Sequence, residues 1–455
     1  MLADELQGAI DWRYPTLIQV LTDQLAILDA ASKASPEVAV KYASLVSGRN
    51  NALKNIQGNL DGFASTQALT VRRAQEASLE RWLGHQTMSA ESHVNGAALE
   101  TDVVRLRTFV DEQSRLRERD FDYNLIEGGG LFNAAYQIVR LADEKQKPDL
   151  EREPGFQQRD EIRVLAAEQQ LERRMDPGVD QQLFVYALQR YVKLPPAQRL
   201  PALDQWLGGA AQPAALAKKV ADLYAGSTLA DTATRVKWLD ATPAQIRASD
   251  DAWLKLMTAL MPELLAYEHQ QKALAGDLQA LRPRYMAAMT AFRAAQGKPI
   301  YPDANSTLRV SFGTVQGYTS RDGANHEPFT TAEGIVQKDT GIAPFNAPPA
   351  ELQAIRDKAY DGYASPALGT LPVAFLSNLD ITGGNSGSPT LDKQGRLVGL
   401  AFDSTWEGVS SGWLFDPAQT RTIHVDARYM LWVMHHLDHA DNLLEEMGVP
   451  AGSAQ

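Results

Sequence analysis

Seven residues in the last third of the chain, Gly383-Gly384-Asn385-Ser386-Gly387-Ser388-Pro389, set a hydroxyl among glycines in a single turn. A hydroxyl becomes a useful nucleophile when its turn exposes the oxygen and lets backbone N–H groups converge on the oxyanion that forms on attack. In such a Gly-x-Ser-Gly turn the natural oxyanion donors are the N–H groups of Gly384 and Ser386, with Ser386 as the attacking residue. Gly/Ser turns also occur as plain loops, and that reading stands beside the catalytic one. What favours catalysis is the extension of the motif: Ser388-Pro389 follows, and Leu397-Val398-Gly399-Leu400 returns shortly after. A strand with a hairpin return over 390–402 brings Asp403 and Ser404 back beside Ser386.

Other chemistries lack their residues. There is no Cys, which excludes disulfides, thiolate zinc sites and thiol catalysis, and which suits an oxidising compartment. No phosphate loop, dinucleotide fingerprint or His-Glu-x-x-His is present, and no cofactor is expected. His435 and His439 stand at i, i+4 on an expected terminal helix. They offer half a metal set, but without a third ligand they read as a solvated helix face, so no metal is assigned. The net charge of −12 argues against nucleic acid as a partner, because phosphate binding calls for a basic surface. No apolar run is long enough to span a membrane, and Met1–Trp12 has no basic segment followed by an apolar one, so no signal peptide is read.

The elements that must position Ser386 follow from periodicity. Residues 1–295 read as helical. Leu17, Val20, Leu21, Leu25 and Leu28 share a stripe within Tyr14–Ala34, and Leu254, Leu256, Leu260, Leu264, Leu265 and Leu274 recur within Asp250–Gln296. Gly128-Gly129-Gly130 reads as a hinge-like turn. From Lys298-Pro299 the texture changes. Leu308, Val310 and Phe312 alternate, so 306–318 is expected as a strand; 322–365 is expected as a long loop; 371–376 and 397–402 are expected as strands joined through Gln394-Gly395; and 425–447 is expected as a helix. The fold class expected is α+β: a helical domain over 1–295, then a β lobe with a terminal helix over 296–455.

The segment 380–417, around Ser386, resembles the S46 family of bacterial dipeptidyl peptidases. The similarity continues through Tyr301–Arg309 and His424–Tyr429, and near the start in Pro36-Glu37-Val38 and Lys41-Tyr42-Ala43-Ser44. The resemblance implies a double β-barrel peptidase of chymotrypsin type with an inserted helical cap, here represented by the cap and the second barrel. It implies a serine dipeptidyl aminopeptidase that releases dipeptides from free N-termini of oligopeptides without a metal, is periplasmic or secreted, and forms a homodimer. Carried over, Ser386 matches the nucleophile and Asp403 the acid that holds the substrate ammonium, a contact in which a carboxylate is physically apt. A structural strand-end Asp is the alternative for Asp403. Asn50, beside Asn51, matches a helical-domain residue that also meets the ammonium, with a helix N-cap as its alternative. Ser404 matches the position that tunes the S1 pocket and leans towards Asp or Glu at P1.

Ser386 needs a base, and the family's chain order puts His and Asp upstream of the helical domain. The eight histidines are His85, His93, His269, His326, His424, His435, His436 and His439, and none has strand-like flanks ahead of the helical region. The chain is therefore expected to be N-terminally truncated and inactive alone, with an exposed apolar patch where a first barrel would pack. Two further readings remain: a catalytically silent peptide-binding remnant, and a trypsin-like endoprotease, against which Asp403 and the helical cap speak.

Overall fold

The structure, a computed structural model, describes residues 2–85, 96–298, 300 and 305–449, without the side chains of 96–100. His93 and the resemblance segment 301–304 lie outside these residues. The chain divides into two compact units, 1–54 with 72–300, and 55–71 with 301–455.

The described part of the first unit is helical. The Tyr14–Ala34 helix buries Val20, Gln24 and Leu28 on one stripe, while Leu17, Leu21 and Leu25 flank it half-buried. The Ala252–Ala295 helix starts where Asp251 accepts the N–H groups of Trp253 and Leu254 at 3.0 and 3.3 Å. Trp253 is fully buried, with the rings of Phe132, Phe184 and Tyr224 at 6.1, 5.2 and 5.6 Å. Each such ring pair adds about 1 kcal/mol beyond the burial of its area. The triple glycine is a helix junction. Its last residue opens the Gly130–Glu144 helix, and the buried Asp180 carboxylate accepts the N–H groups of Gly130 and Leu131 at 2.7 and 3.0 Å. No described helix is long and apolar enough to cross a membrane.

The described part of the second unit holds seven strands: β1 (Tyr318–Arg321), β2 (Ala324–His326), β3 (Phe329–Thr331), β4 (Pro372–Ser377), β5 (Pro389–Leu391), β6 (Leu397–Ser404) and β7 (Thr422–Asp426). β1 and β2 form a hairpin; the other five form one antiparallel sheet in the order β3-β4-β7-β6-β5. So the molecule is mostly helical with two antiparallel sheets. The expected strands at 371–376 and 397–402 are β4 and β6. Their neighbour β5 joins β6 through a turn in which Gly395, at φ +79°, donates its N–H to the Asp392 carbonyl.

Three expectations need correction. Residues 308–314 form no strand: only Val315 bridges to Ser377, and Leu308, Val310 and Phe312 are 92%, 79% and 91% exposed. Alternation alone makes a strand only where a partner edge is available. The expected loop 322–365 contains β2, β3 and the helices Ala332–Lys338 and Pro349–Arg356. The expected terminal helix from 425 starts two residues late, because Val425 and Asp426 end β7, and Asp426 then caps the Ala427–Trp432 helix by accepting the Arg428 N–H. A second core forms behind the sheet from Ala332, Ile355, Tyr360, Tyr363, Leu371 and Trp432.

Candidate active site

The turn before β5 owes its shape to one side chain–backbone bond and two backbone bonds. Asn385 Oδ1 accepts the Thr382 N–H at 2.9 Å, the Thr382 carbonyl accepts the Asn385 N–H at 3.1 Å, and the Asn385 carbonyl accepts the Ser388 N–H at 2.9 Å. Gly384 and Gly387 have φ of +99° and +84°, a region that penalises any Cβ, although a Cβ at either would meet nothing within 4 Å. Glycine is demanded here by the backbone conformation, since there is room for a side chain. The turn is tied to β6 by the Gly387 N–H donating to the Ala401 carbonyl at 2.7 Å and the Ala401 N–H donating to the Ser388 carbonyl at 3.0 Å.

Ser386 rides exposed on this turn. Its Oγ donates to the Phe402 carbonyl at 3.5 Å, a weak contact that leaves the hydroxyl available to a stronger acceptor. Among the described residues, neither the Gly384 N–H nor the Ser386 N–H donates to the protein. They are free to meet an anion.

Phe402 sits at a register shift in the β6–β7 pairing, between Ala401 and Asp403. The bulge breaks strict alternation, so Phe402 and Asp403 are both exposed. Asp403 Oδ1 accepts the Ser404 N–H at 2.8 Å, which braces the carboxylate while its other oxygen stays open. Ser404 is half-buried at the strand end, opposite Thr422. The structure therefore brings Ser386, Gly384, Asp403 and Ser404 together around the β5–β6 pair. Asn50 belongs to the other unit. It lies inside the Pro36–Ser65 helix, exposed, with its Nδ2 donating to the Val46 carbonyl at 3.0 Å, which corrects the N-cap alternative.

No histidine bonds Ser386 among the described residues. His326 stacks on Tyr318 at 4.5 Å and meets Ser320 Oγ at 2.9 Å. His435 pairs with Asp441 at 2.6 Å, and His439, at φ +50°, lies beyond the helical turn. The i, i+4 helical spacing expected for these two is thus not realised. Among the described residues no group of three metal-binding side chains converges.

His424 has a role that its sequence context does not announce. It is fully buried on β7, stacked on Phe375 at 4.6 Å, with Nε2 at 2.7 Å from Ser377 Oγ and Nδ1 at 2.7 Å from Thr390 Oγ1. Ser377 Oγ also accepts the Leu379 N–H at 3.4 Å, and a neutral imidazole donates through one ring nitrogen and accepts through the other, so it serves the two hydroxyls in opposite senses. Burial pushes His424 down to about 4. Thr390 is paired with Gly399 of β6, where a Cβ would meet the Val425 carbonyl at 2.4 Å and the Phe375 ring at 2.8 Å. β7 reads Thr422-Ile423-His424-Val425-Asp426, and its polar residues are the buried ones. Since alternation normally turns polar side chains outward, the sequence carries no signal of this inversion.

Three comparisons bear on what this site does. The Peptidase S46 family model matches residues 1–449. The Asp/Glu-specific dipeptidyl-peptidase of Shewanella putrefaciens is 36% identical over 98% of this chain and 62% of its own length. Dipeptidyl-peptidase 7 of Porphyromonas gingivalis is 28% identical over 94% of this chain and 58% of its own. The crystal structure of Porphyromonas endodontalis DPP11 in complex with the dipeptide Arg-Glu superposes with a TM-score of 0.79 at 22% identity, covering 99% of this chain and 62% of that one. The chain thus spans about three fifths of the length of these relatives.

Proposed function

The chain belongs to the peptidase S46 family, and from that premise we propose that it forms the nucleophile-bearing part of a serine dipeptidyl aminopeptidase. The observation that carries this reading is the exposed Ser386 on a turn whose Gly384 and Ser386 N–H groups have no partner among the described residues. Ser386 Oγ gives its proton to a base and attacks the carbonyl of the second peptide bond, and those two N–H groups hold the oxyanion. The C–N bond breaks and the shortened peptide leaves as the protonated amine, and water then cleaves the acyl-enzyme ester to free the dipeptide. Asp403 receives the substrate ammonium. In this reading Asn50 is a second contact to that ammonium, and the lobe is the second barrel of a chymotrypsin-like pair. Ser404, together with the specificity named for the Shewanella relative, supports Asp or Glu at P1. Oligopeptides are the substrates, a periplasmic or secreted setting fits the reading, and a homodimer is its assembly.

The test uses the complete gene product and dipeptidyl fluorogenic substrates with Asp, Glu or Leu at P1. Ser386→Ala abolishes release if the reading holds; activity retained in that variant removes it.

One observation favours a second reading, in which this chain on its own binds peptides without cleaving them: among the described residues, Ser386 Oγ meets the Phe402 carbonyl alone. Under that reading a fluorophosphonate probe leaves the isolated chain unlabelled, and labelling at Ser386 excludes it.

A further inference from the structure

The Pro36–Ser65 helix continues past Lys54 into the second unit, where residues 55–71 pack with the β lobe. Over this last stretch it buries Ile56, Asn59 and Phe63 along one face, with Gly58 and Gly62 on the same face. The spacing of the two glycines, i and i+4, opens a shallow notch on a helix surface. A short 3-10 helix, Trp406–Gly412, sits in that notch.

The fit is close. A Cβ on Gly62 would lie 2.2 Å from Ser410 Oγ and 2.6 Å from Ser410 Cβ, and one on Gly58 would lie 3.2 Å from Val409 Cβ. Ser410 is 2% exposed. The flanks are fastened as well: Trp406 Nε1 donates to Asp61 Oδ2 at 3.2 Å, and the Phe63 and Trp413 rings meet edge-on at 5.4 Å.

What the notch holds is the direct continuation of the candidate substrate wall. β6 ends at Ser404 and the 3-10 helix begins at Trp406, with Thr405 alone between them. Thr405 is itself fixed, its N–H donating to the Arg421 carbonyl at 3.0 Å and its carbonyl accepting the Gly408 N–H at 2.9 Å. There is no slack between the seated segment and the Asp403-Ser404 strand end. A displacement of Ser410 is therefore transmitted to the residues that read the substrate.

We propose that Gly58 and Gly62 are positioning residues for substrate recognition: their bare backbone seats the 406–412 turn and so sets the placement of Asp403 and Ser404. The proposal rests on the reading of Asp403 and Ser404 as substrate contacts. Neither glycine touches the reacting atoms, so the effect belongs to binding and P1 selection, and the chemistry at Ser386 is spared.

The experiment is steady-state kinetics of the complete gene product with matched free-N-terminus substrates carrying Glu or Leu at P1. Gly62→Ala is expected to raise KM about tenfold, as overpacking costs of this kind translate, with kcat within about threefold of the parent. Combining it with Ser410→Gly removes the opposing Cβ and Oγ and leaves only Ser410 Cα, at 3.8 Å from the new methyl. The double variant is expected to recover most of the parent KM. Trp406→Phe keeps a ring and deletes only the bond to Asp61; it should shift KM the same way by about twofold to threefold. An unchanged KM in both Gly62→Ala and Trp406→Phe overturns the proposal, as does a loss that falls on kcat or one that Ser410→Gly fails to recover. Failure of the peptidase reading looks different: Ser386→Ala stays active, whatever the glycine variants do.

Discussion

Ser377 on β4 and His424 on β7 meet at 2.7 Å, Oγ to Nε2, in the fully buried centre of the sheet that carries the Ser386 turn. The same imidazole reaches Thr390, four residues after Ser386, so three strands are joined through one neutral ring. This ring must stay unprotonated for the arrangement to keep its donor and acceptor order.

Acid stability reports that requirement. His424 is held down to about 4 from an ordinary 6.5, so between these values the unfolded chain binds a proton that the folded one does not. Its contribution to stability is full above pH 6.5, falls as pH drops through the window, and levels off below pH 4. The loss is on the order of 3 kcal/mol. Urea melts at pH 7, 5.5 and 4 check it against His424→Gln, which should flatten the profile over this range; parallel profiles contradict the assignment.

Gly399 lies close against the Val425 carbonyl and the Phe375 ring. Gly399→Ala puts a methyl 2.4 Å from the Val425 carbonyl and 2.8 Å from the Phe375 ring. Nothing flexible can yield except the Phe375 ring, which is itself stacked on His424. We expect a cost of about 2–3 kcal/mol, read as a lowered midpoint in thermal or denaturant unfolding.

Gly384 and Gly387 fail differently. Each has open space beside it and a positive φ, so Gly→Ala meets no clash and costs about 1–2 kcal/mol through the backbone. The turn can relieve that cost by rotating its peptide groups, which takes the Gly384 and Ser386 N–H groups off their common target. The expected outcome is a folded protein with near-parent melting behaviour and release of dipeptides reduced by about a hundredfold, since one lost oxyanion donor is worth that much. Equal losses of stability and rate would instead mark the glycines as structural alone.

Under the proposed function, Asp403 is the residue that would separate an exopeptidase from an endoprotease. Asp403→Asn keeps an acceptor for the Ser404 N–H, now made at 2.8 Å by Oδ1, and deletes the charge. Cleavage of free-N-terminus substrates should drop by about tenfold to a hundredfold in kcat/KM, as loss of a charge-assisted contact implies, while N-acylated substrates are poorly cleaved by both proteins. Unaltered kinetics on free N-termini would return Asp403 to the role of a strand-end brace.

The legible parts of this molecule were those in which one local rule decides. The Tyr14–Ala34 helix and the long helix after Asp251 carry apolar stripes at helical spacing, and both are present. The Ser386 turn was visible because glycines at positive φ leave a compositional mark. What escaped depends on partners distant in sequence. Leu308, Val310 and Phe312 alternate like a strand, yet no neighbouring edge pairs with them. β7 hides its polar residues because Ser377 and Thr390 satisfy His424 and because Arg428 binds Asp426 at 2.8 and 2.9 Å. The seat at Gly58 and Gly62 is invisible in a helix of ordinary composition until residues 406–412 are laid against it.

The Leu308-Val310-Phe312 segment also has a colloidal consequence. Three large apolar side chains are exposed on backbone whose N–H and C=O groups have no backbone partner among the described residues, so any second extended strand finds both hydrogen bonds and dry surface there. Raising the concentration of the chain should therefore drive reversible self-association, visible as a light-scattering signal that grows faster than concentration. Charged replacements at Val310 or Phe312 should keep the protein monodisperse, which makes this short stretch the place to begin when a tractable sample is needed.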